Sequence, residues 1–534
     1  MHAIGKTTNT GSIVAPNKLF AALIIVLTAC AAPPDQTAEN SLVDPMTQRT
    51  FAAGYQQISD RYIEPVPVTE LAIAGLNGLK TIDPSLEFRQ DEGRIRLFLA
   101  GTEAAPARTT SRDDAAGWAA LTAEEIGYAR LASTRLQTAP MEDIYEAVFD
   151  GMLATLDPFS SYAGGKQARE NRAKRTGYGG IGLLYSIGKD GVTVVEVFRA
   201  SPAEKAGIKA GDRVTHIDKQ ALAGLDRYQI NSLFRGRAGS IAMVGLWQGR
   251  SGFPTLLAVE RAHITYPTVR ARLLDDNLLL RVSSFNNHTA EEIVEEVKRA
   301  QQTVGNLAGL ILDLRDNPGG LLSEAVKVSD LFLDQGRIVS TWGRHPHSRR
   351  DYDAHFSDIA NGKPIVILVD GKSASASEIV AAALQDNERA VIVGSGSFGK
   401  GTVQRISRLP NNGEMTLTWS RFVAPSGYLL HGLGIAPTVC TSGSHTGDPQ
   451  GSAAAVIKTA LNHAAEFADR LEKWRTVSFE DHGQRKALRG YCPAGEARGN
   501  LEIEVAQRLL ADSALYRRIV TSRRTVAANP AGRG

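Results

Sequence analysis

The 534-residue sequence predicts a multidomain protein of the α/β and β class, with helical parts at both ends. Three observations support this prediction. At roughly 150 residues per domain, the length favours three or four domains. Near-continuous apolar strands alternate with helical patterns from 263 to 440, which is typical of a layered α/β core. Short β-like runs separated by glycines precede that core, from 177 to 261.

The composition excludes some classes of protein. Lys and Arg number 60 against 57 Asp and Glu, so the net charge is +3, and Lys6 and Lys18 lie in a predicted leader. Such a weak positive field indicates no nucleic-acid partner. Hydrophobic residues make up 43% of the chain, which is typical of a folded protein.

The N-terminus predicts a lipoprotein leader. Residues 19–29 form an uncharged apolar run, shorter than the roughly 20 residues that span a bilayer and typical of a signal peptide. The Leu-Thr-Ala-Cys sequence at 27–30 resembles a bacterial lipobox. We therefore expect a signal peptide over 1–29, lipid attachment at Cys30, a tether over 30–45, and a protein anchored in the bacterial cell envelope and facing the periplasm. The alternative is a plain secretory signal with an incidental cysteine.

Helical patterns flank the two central parts. Apolar spacing predicts a mostly helical N-terminal domain over 46–162, in which 84–112 is irregular and stays unassigned. The same spacing predicts a helical C-terminal region over 453–523. The charged segment 163–176 lacks apolar periodicity and indicates a connector or an exposed helix.

The part from 177 to 261 resembles a PDZ domain. A Gly-rich loop precedes a strand, and the runs SPAEKAGIKAGDRVTHID (201–218) and LFRGRAGS (233–240) follow in the order of that domain. The N–H groups of the loop can cradle a terminal carboxylate while the next strand edge pairs with an extended peptide. The loop residues are Gly179, Gly180, Ile181 and Gly182. The alternative is a small β domain that only packs against its neighbours.

In the α/β part, one glycine-rich segment, 394–404, requires a choice between two structures. Its Gly-Ser-Gly-Ser-Phe-Gly run matches a dinucleotide fingerprint, and it misses a phosphate-binding loop by one residue, because Gly401 stands where Ser or Thr would hold magnesium. Both nucleotide sites need a helix that begins at the glycines. The residues from Thr402 are β-like instead and lead through an Asn-Asn-Gly turn at 411–413 into another strand, so we predict a hairpin.

A second segment, Ser-Ala-Ser-Ala-Ser-Glu at 373–378, lies between a predicted buried strand and a helix. A serine at such a turn can be exposed beside outward-pointing N–H groups. A nucleophilic serine needs a base, but His345 and His347 lie in an Arg-rich segment that indicates surface. Lys400 is the candidate base, provided that burial lowers its pKa by roughly three units from about 10.4.

The chain from 177 to 439 resembles the carboxyl-terminal processing peptidases, which are tail-specific serine proteases with a PDZ domain. The matching stretches are LILDLRDNPGGLL (310–322), 369–404 and PSGYLLHGLGIAPTV (425–439). The resemblance implies a crotonase/ClpP-like serine peptidase core. In it Ser375 is the nucleophile, Lys400 the general base and Gln404 the residue that orients the lysine. Strand alternation places Lys400 and Gln404 on the same side.

An oxyanion hole must supply two hydrogen-bond donors. Ala376 N–H, directly after the nucleophile, is one candidate. The other is Gly319 or Gly320, because a backbone without side chains can approach a substrate closely; taken alone, this pair indicates a turn. Two positions depart from the family pattern, Phe159 in place of a His and Thr438 in place of an Asp, and both bear on packing rather than on chemistry.

The resemblance also implies what the protein binds and does. Protein or peptide substrates are bound by their C-termini in the PDZ groove and cleaved through an acyl-enzyme, with no metal and no cofactor. Arg235 is the candidate for coupling the PDZ domain to the active site. Adaptor proteins and homo-oligomers occur in the family, and a lipid anchor adds the membrane as a partner. The alternative from another class is a noncatalytic peptide-binding lipoprotein scaffold.

The cysteine count has a consequence for the C-terminal region. Lipid attachment at Cys30 leaves Cys440 and Cys492 of the three cysteines. In an oxidising compartment these two can form a disulfide between the end of the core and the C-terminal region. Two buried thiols are the alternative.

Overall fold

The computed structural model of the chain describes residues 43–91, 94–109, 114–247, 255–442, 452–497 and 499–521. The predicted signal peptide, Cys30 and most of the tether lie outside these residues. Within the described ranges, no helix has both the length and the apolar composition that a membrane span requires.

The N-terminal part is mostly helical and includes a small sheet in the stretch that the sequence left unassigned. Its helices are α1 (Pro45–Arg61), α2 (Val68–Gly78), α3 (Ala115–Ala132), α4 (Thr134–Thr138) and α5 (Met141–Leu153), with a 3₁₀ turn over Leu79–Thr81. The antiparallel sheet contains β1 (Leu86–Asp91), β2 (Arg94–Leu99) and β3 (Thr102–Glu103). Phe149 stacks between Phe51 and Tyr162 in the core. Tyr162 belongs to β4 (Ser161–Ala163).

A helix and an antiparallel β domain follow. The elements are α6 (Gly165–Thr176), β5 (Tyr178–Gly180), β6 (Leu183–Gly188), β7 (Gly191–Val197), α7 (Pro202–Lys205), β8 (Arg213–Ile217), β9 (Gln220–Ala221), α8 (Arg227–Phe234), β10 (Ile241–Trp247), β11 (Thr255–Glu260) and β12 (Ala262–Ile264). The sheet runs β11-β10-β8-β7-β6, with β9 beside β8, while β5 pairs with β12. The Ser-Pro start of α7 forms as expected, since Ser201 Oγ accepts the Glu204 N–H at 3.2 Å.

The next part is the predicted layered α/β core. Its elements are β13 (Val269–Leu274), β14 (Asn277–Val282), α9 (Thr289–Val304), β15 (Gly309–Asp313), α10 (Leu322–Asp330), β16 (Arg337–Trp342), β17 (Arg350–Asp353), β18 (Ile365–Val369), α11 (Ala376–Asp386), β19 (Ala390–Gly394), β20 (Thr402–Arg408), β21 (Glu414–Val423) and β22 (Val439–Cys440), with a 3₁₀ turn over Pro346–Ser348. The C-terminal helices are α12 (Ala453–Asn462), α13 (Ala464–Thr476), α14 (His482–Gly490), α15 (Leu501–Ala511) and α16 (Ser513–Thr521).

The main sheet of the core runs β13-β14-β15-β18-β19-β22. All pairs are parallel except β13 with β14. Strands β15, β18 and β19 are buried along their whole length, because α9, α10 and α11 cover one face and α12, α15 and α16 cover the other. The predicted α/β and β multidomain class is confirmed.

A second, antiparallel sheet runs β17-β16-β21-β20, and β4 of the N-terminal part pairs with β21. The predicted hairpin after the glycine-rich segment is confirmed, since β20 and β21 pair along their length. A strand therefore follows the glycines where both nucleotide sites would need a helix.

Helix α6 has almost no apolar face, and ion pairs hold it against this second sheet. Arg172 and Arg175 donate to the buried Glu414 carboxylate of β21 at 2.9 and 2.7 Å. The charged segment 163–176 is therefore a helix that connects the β domain to the core.

The C-terminal region is tied to the core by a covalent bond and by buried charges. Cys440 and Cys492 form a disulfide that closes 52 residues, worth about 4 kcal/mol by the loop-entropy relation. Glu502 on α15 pairs with Arg315, which also pairs with Asp313 at the end of β15, at 3.1 and 2.7 Å. The C-terminal helices thus pack beside the loop that follows β15.

Candidate active site

Ser375 lies at the turn between β18 and α11, in a backbone conformation that few residues adopt. Its φ is 55° and its ψ is −111°, and a non-glycine residue at positive φ stores about 1–3 kcal/mol of strain. The neighbouring serines use their hydroxyls in buried hydrogen bonds: Ser373 Oγ donates to Leu314 O and Ser377 Oγ donates to Asn317 O. From residue 373 to residue 377, only Ser375 is partly exposed.

One buried carboxylate joins the turn that carries Ser375 to the loop that carries Lys400. Glu378 Oε2 accepts the N–H groups of both Ser375 and Lys400, at 2.8 and 2.9 Å. Its other oxygen accepts Ser397 Oγ–H at 2.5 Å and Gly399 N–H at 2.7 Å. Burial raises the pKa of Glu378, although these hydrogen bonds oppose the shift. Because two N–H groups share one oxygen atom, the backbones of Ser375 and Lys400 are adjacent.

The Lys400 side chain is half-buried beside an aromatic ring. Its Nζ lies 4.8 Å from the centre of the Phe159 ring. Burial lowers the pKa of Lys400, while the carboxylates of Asp157 and Glu378 favour the ammonium and limit the shift. The direction is the one that a lysine base requires. No hydrogen bond joins Lys400 Nζ to Ser375 Oγ among the described residues.

The two glycines proposed for the oxyanion hole differ in their hydrogen bonds. Gly319 N–H donates to Asn317 Oδ1 at 2.9 Å, so it is already used. In the described part of the chain, the N–H groups of Gly320 and Ala376 donate to no acceptor. A Cβ at Gly319, where φ is +100°, would lie 2.9 Å from Ala376 N, so this loop contacts the start of α11. The structure therefore leaves Gly320, rather than Gly319, as a free donor beside Ala376.

Among the described residues, no hydrogen bond joins Gln404 to Lys400. Its Nε2 donates to the hydroxyls of Thr402 at 2.8 Å and Thr418 at 3.3 Å. The expected placement on one side assumed regular alternation, but the β20–β21 register shifts between Val403 and Gln404, and such a bulge breaks the alternation. Thr418 in turn donates to Asp157 Oδ1 at 3.0 Å, so Gln404 reaches the surroundings of Lys400 only through two other residues.

Three residues of the site have positions that the sequence did not reveal. Glu378 had a local signal, because Ser375-x-x-Glu378 is a capping-box pattern in which the acid accepts the N–H of the capping residue. The sequence had no signal for Asp157, and the only signal for Phe159 was that it replaces the His of the family pattern. They lie in the turn before β4, and only pairing between β4 and β21 brings them to Lys400.

The β domain presents a groove of the kind expected for peptide binding. A cavity of about 560 Å³ lies between β6 and α8, and the loop before β6 closes one end of it. The backbone N–H groups of Ile181 and Gly182 have no acceptor among the described residues. Gly179 and Gly180 are in β5 and pair with β12, so only the second half of the predicted loop has free donors.

Helix α6 borders this groove and contacts Arg235. The Arg235 guanidinium makes two hydrogen bonds to the Glu170 carboxylate, at 2.7 and 2.8 Å, and stacks on the Tyr178 ring at 4.6 Å. Arg235 and Glu170 both line the cavity. Arg235 is thus placed between the groove and the helix that leads to the core.

Comparison with known proteins agrees with this architecture. A family model described as peptidase family S41 matches residues 277–441, and a PDZ domain model matches residues 179–246. A carboxy-terminal-processing protease of Bartonella bacilliformis is 38% identical over 310 residues, which are 57% of this chain and 71% of that protein. The carboxy-terminal processing protease CtpA of Bacillus subtilis is 31% identical over 317 residues, 58% and 67% of the two chains. The solved structure of a photosystem II D1 C-terminal processing protease aligns with a TM-score of 0.36 and 25% identity, covering 73% of this chain and 92% of that one. The similarities do not favour the noncatalytic scaffold.

Proposed function

The chain belongs to the carboxy-terminal processing proteases of peptidase family S41, which are serine-type peptidases, and from this premise we propose that Ser375 and Lys400 form its catalytic dyad. The observation that carries the proposal is the Glu378 carboxylate, which binds the N–H groups of both residues through one oxygen. The strained backbone and partial exposure of Ser375 support its role as the nucleophile.

In the proposed reaction, neutral Lys400 Nζ leaves the face of Phe159 and takes the proton of Ser375 Oγ–H as the oxygen attacks the scissile carbonyl carbon. Gly320 and Ala376 N–H donate to the oxygen that becomes negative. The lysine then gives its proton to the leaving amine, and the acyl-enzyme forms. Lys400 then takes a proton from a water molecule, which attacks the ester carbon. As the bond from that carbon to Ser375 Oγ breaks, the lysine gives the proton to Oγ, which restores the serine and the neutral amine.

Gln404 is proposed as a positioning residue in this reaction. It acts through the Thr418 hydroxyl, which accepts from Gln404 and donates to Asp157. Asp157 is the carboxylate that most favours the charged form of Lys400. Gln404 therefore helps to hold the charge that sets the pKa of the base.

The pH dependence tests the role of Lys400. Activity requires the neutral amine, so kcat/KM is expected to fall tenfold per pH unit below the pKa of Lys400 and to level off above it. Asp157→Asn removes the carboxylate that most favours the ammonium form and so lowers that pKa, and the acid limb is therefore expected to move to lower pH. The exposed Asp190→Asn variant should leave the limb in place. An unmoved limb, or one at higher pH, in Asp157→Asn contradicts the assignment.

We further propose that the groove between β6 and α8 binds the C-terminal tail of a protein or peptide substrate. The tail adds to the edge of β6, and its carboxylate meets the free N–H groups of Ile181 and Gly182. Leu183 and Phe234 supply apolar walls. Arg235, held by Glu170, is the candidate that reports an occupied groove to α6 and through Glu414 to the core.

Substitution of Glu170 tests tail recognition by the groove and the contribution of Arg235 to it. Glu170→Gln frees Arg235 for the substrate carboxylate, so KM for a free-tailed peptide is expected to fall about tenfold, the order of one charge-assisted hydrogen bond, and Arg235→Ala should raise KM. An amidated tail should show neither effect. Glu196→Gln, which breaks the Glu196–Arg270 pair on the same domain, is the control. Equal KM values for free and amidated tails would remove tail recognition from the proposal.

We also propose that Cys30 carries a lipid and that the enzyme faces the periplasm from the bacterial cell envelope. The Leu-Thr-Ala-Cys motif and the Cys440–Cys492 disulfide, a bond that persists in oxidising compartments, support this. Binding of an adaptor protein and assembly into a homo-oligomer remain predictions that rest on the family resemblance. Cys30→Ser is expected to move the protein from the membrane to the soluble fraction; a wild-type protein that is already soluble after fractionation contradicts the anchor.

A further inference from the structure

Helix α14 presents basic residues along one face. His482, Arg485, Lys486 and Arg489 are spaced i, i+3, i+4, i+7, so they lie on the same side of the helix. Like charges at this spacing destabilise a helix by about 0.2–0.5 kcal/mol per pair. With His431 and Phe479 they line a cavity of about 380 Å³, and no carboxylate lines it.

Arg485 is the strongest evidence that this cavity is a binding site. Its side chain is buried, with the residue only 4% exposed. Nη2 donates to the carbonyl oxygens of Leu429 and His431, whereas Nη1 is buried and has no acceptor. Among the described residues, no carboxylate lies within 4 Å of the guanidinium. Buried charges are normally paired, because an unpaired ion loses its hydration without compensation.

Arg489 adds a second cation that forms no ion pair with any described carboxylate. Its guanidinium donates only to carbonyl oxygens, those of Ser397 at 3.0 Å, Phe398 and Leu433 at 3.3 Å, and Gly432 at 3.4 Å. Burial and then the charge of Arg489 lower the pKa of Arg485.

The acidic residues nearest in sequence are engaged elsewhere: Glu480 accepts from Ser478, and Asp481 caps α14 by accepting the Gln484 N–H. Among the described residues, no carboxylate forms an ion pair with Arg485 or Arg489, and the Glu480 and Glu378 carboxylates favour their charged forms only from beyond 4 Å.

The cavity borders the proposed active site. Arg489 binds the carbonyls of the loop that carries Lys400. On the other wall, the His431 ring lies 5.9 Å from the Phe159 ring, edge to face, and Phe159 lies under Lys400 Nζ. Because extended peptide rises roughly 3.3 Å per residue, a peptide held at Ser375 reaches the cavity within a few residues.

We propose that this cavity, defined by Arg485, Lys486 and Arg489 on α14 and His431 beside Lys400, is a subsite that binds a carboxylate of the peptide substrate within a few residues of the scissile bond. The inference rests on the proposed function and adds a specificity to it. Two carboxylates have this chemistry, an Asp or Glu side chain and the terminal carboxylate of a short tail. An arginine pair can bind either through charge-assisted hydrogen bonds.

The test compares peptides that differ in one charge. The full-length enzyme is given a set of peptides in which Gln is replaced by Glu at one position at a time on either side of the cleavage site. At one position kcat/KM for Glu is expected to exceed that for Gln about tenfold. The ratio of kcat/KM for the Glu peptide to that for the Gln peptide should fall toward one in Arg485→Met and in Lys486→Gln. The exposed Arg508→Gln control should keep the wild-type ratio. If the bound group is instead the terminal carboxylate, amidation of a short peptide should lower kcat/KM in the wild-type enzyme. In Arg485→Met, amidation should then leave kcat/KM unchanged.

Two results would overturn the subsite. In the first, wild type cleaves the Gln peptides, but Glu raises kcat/KM at no position and amidation lowers kcat/KM equally in wild type and in Arg485→Met. The other is a preference that persists in both Arg485→Met and Lys486→Gln. Failure of the proposed function is distinguishable, because wild type would then cleave no peptide. In that case glutarate is the probe: it should raise the melting temperature of wild type more than that of Lys486→Gln, and an equal or absent rise overturns the subsite.

Discussion

Ser375→Ala is expected to abolish cleavage of an unfolded protein, with a loss of at least about a thousandfold in kcat. The variant keeps the turn, because the backbone N–H of residue 375 still donates to Glu378, but it removes the only atom that forms the acyl-enzyme. Lys400→Ala should cost as much. Since the two residues act as one unit, the double variant should be no slower than either single variant. Steady-state and single-turnover assays with one fluorogenic peptide measure this.

The matched controls use a serine and a lysine outside the dyad. Ser407→Ala removes a hydroxyl whose partner is Gln57. Lys372→Ala removes the exposed lysine three residues before the nucleophile. Hydrogen bonding to Glu496 raises the pKa of Lys372, so it stays protonated and cannot act as a base. Both controls should keep near wild-type rates. Cleavage by Ser375→Ala and Lys400→Ala at wild-type rates would refute the dyad.

Glu378→Gln is expected to have the second largest effect. Four donors converge on the two carboxylate oxygens, and a Gln amide turns one of those oxygens into a donor. At least one N–H or O–H then loses its acceptor, at a cost of about 1–3 kcal/mol in the free energy of unfolding. Because the same carboxylate aligns the Ser375 and Lys400 backbones, kcat should fall about a hundredfold while KM changes little.

The pH profile separates a positioning role from a merely structural one. The Glu378 carboxylate favours the ammonium of Lys400, so its neutralisation lowers the pKa of the lysine and should move the acid limb of kcat/KM to lower pH. Glu324→Gln is the control. Glu324 is equally buried and accepts from Ala290 N–H and Lys327, so its loss should lower the melting temperature without moving the limb. An unchanged limb in Glu378→Gln would leave Glu378 as a structural residue only.

Local patterns were sufficient to predict most of the elements and to propose the reacting groups. Strands β15, β18 and β19 are runs of apolar residues because both faces are covered, and such runs are visible in sequence. The hairpin of β20 and β21 was visible because residues on both sides of the Asn-Asn-Gly turn have β-forming character. The small sheet of β1 to β3 was not, because charged residues interrupt the apolar pattern of β1 and β2 and because β3 has only 2 residues.

Relations between distant segments were not visible in the same way. The preference for Gly320 over Gly319 depends on one hydrogen bond that Gly319 N–H donates to Asn317 Oδ1. The displacement of Gln404 from Lys400 depends on a bulge in one strand pair. Phe159 meets Lys400 across 240 intervening positions only because β4 joins the second sheet. No local pattern encodes contacts of this kind.

The sequence by itself determined the class of fold, the order of its parts and the two residues proposed to react, because periodicity and residue chemistry act over a few neighbouring positions. The tertiary structure alone decided what surrounds those residues: a shared carboxylate beneath them, an aromatic ring against the lysine, and a cationic cavity beside it. These surroundings come from packing between segments far apart in the chain. Burial and neighbouring charge, which set the pKa of Lys400, exist only once those segments meet.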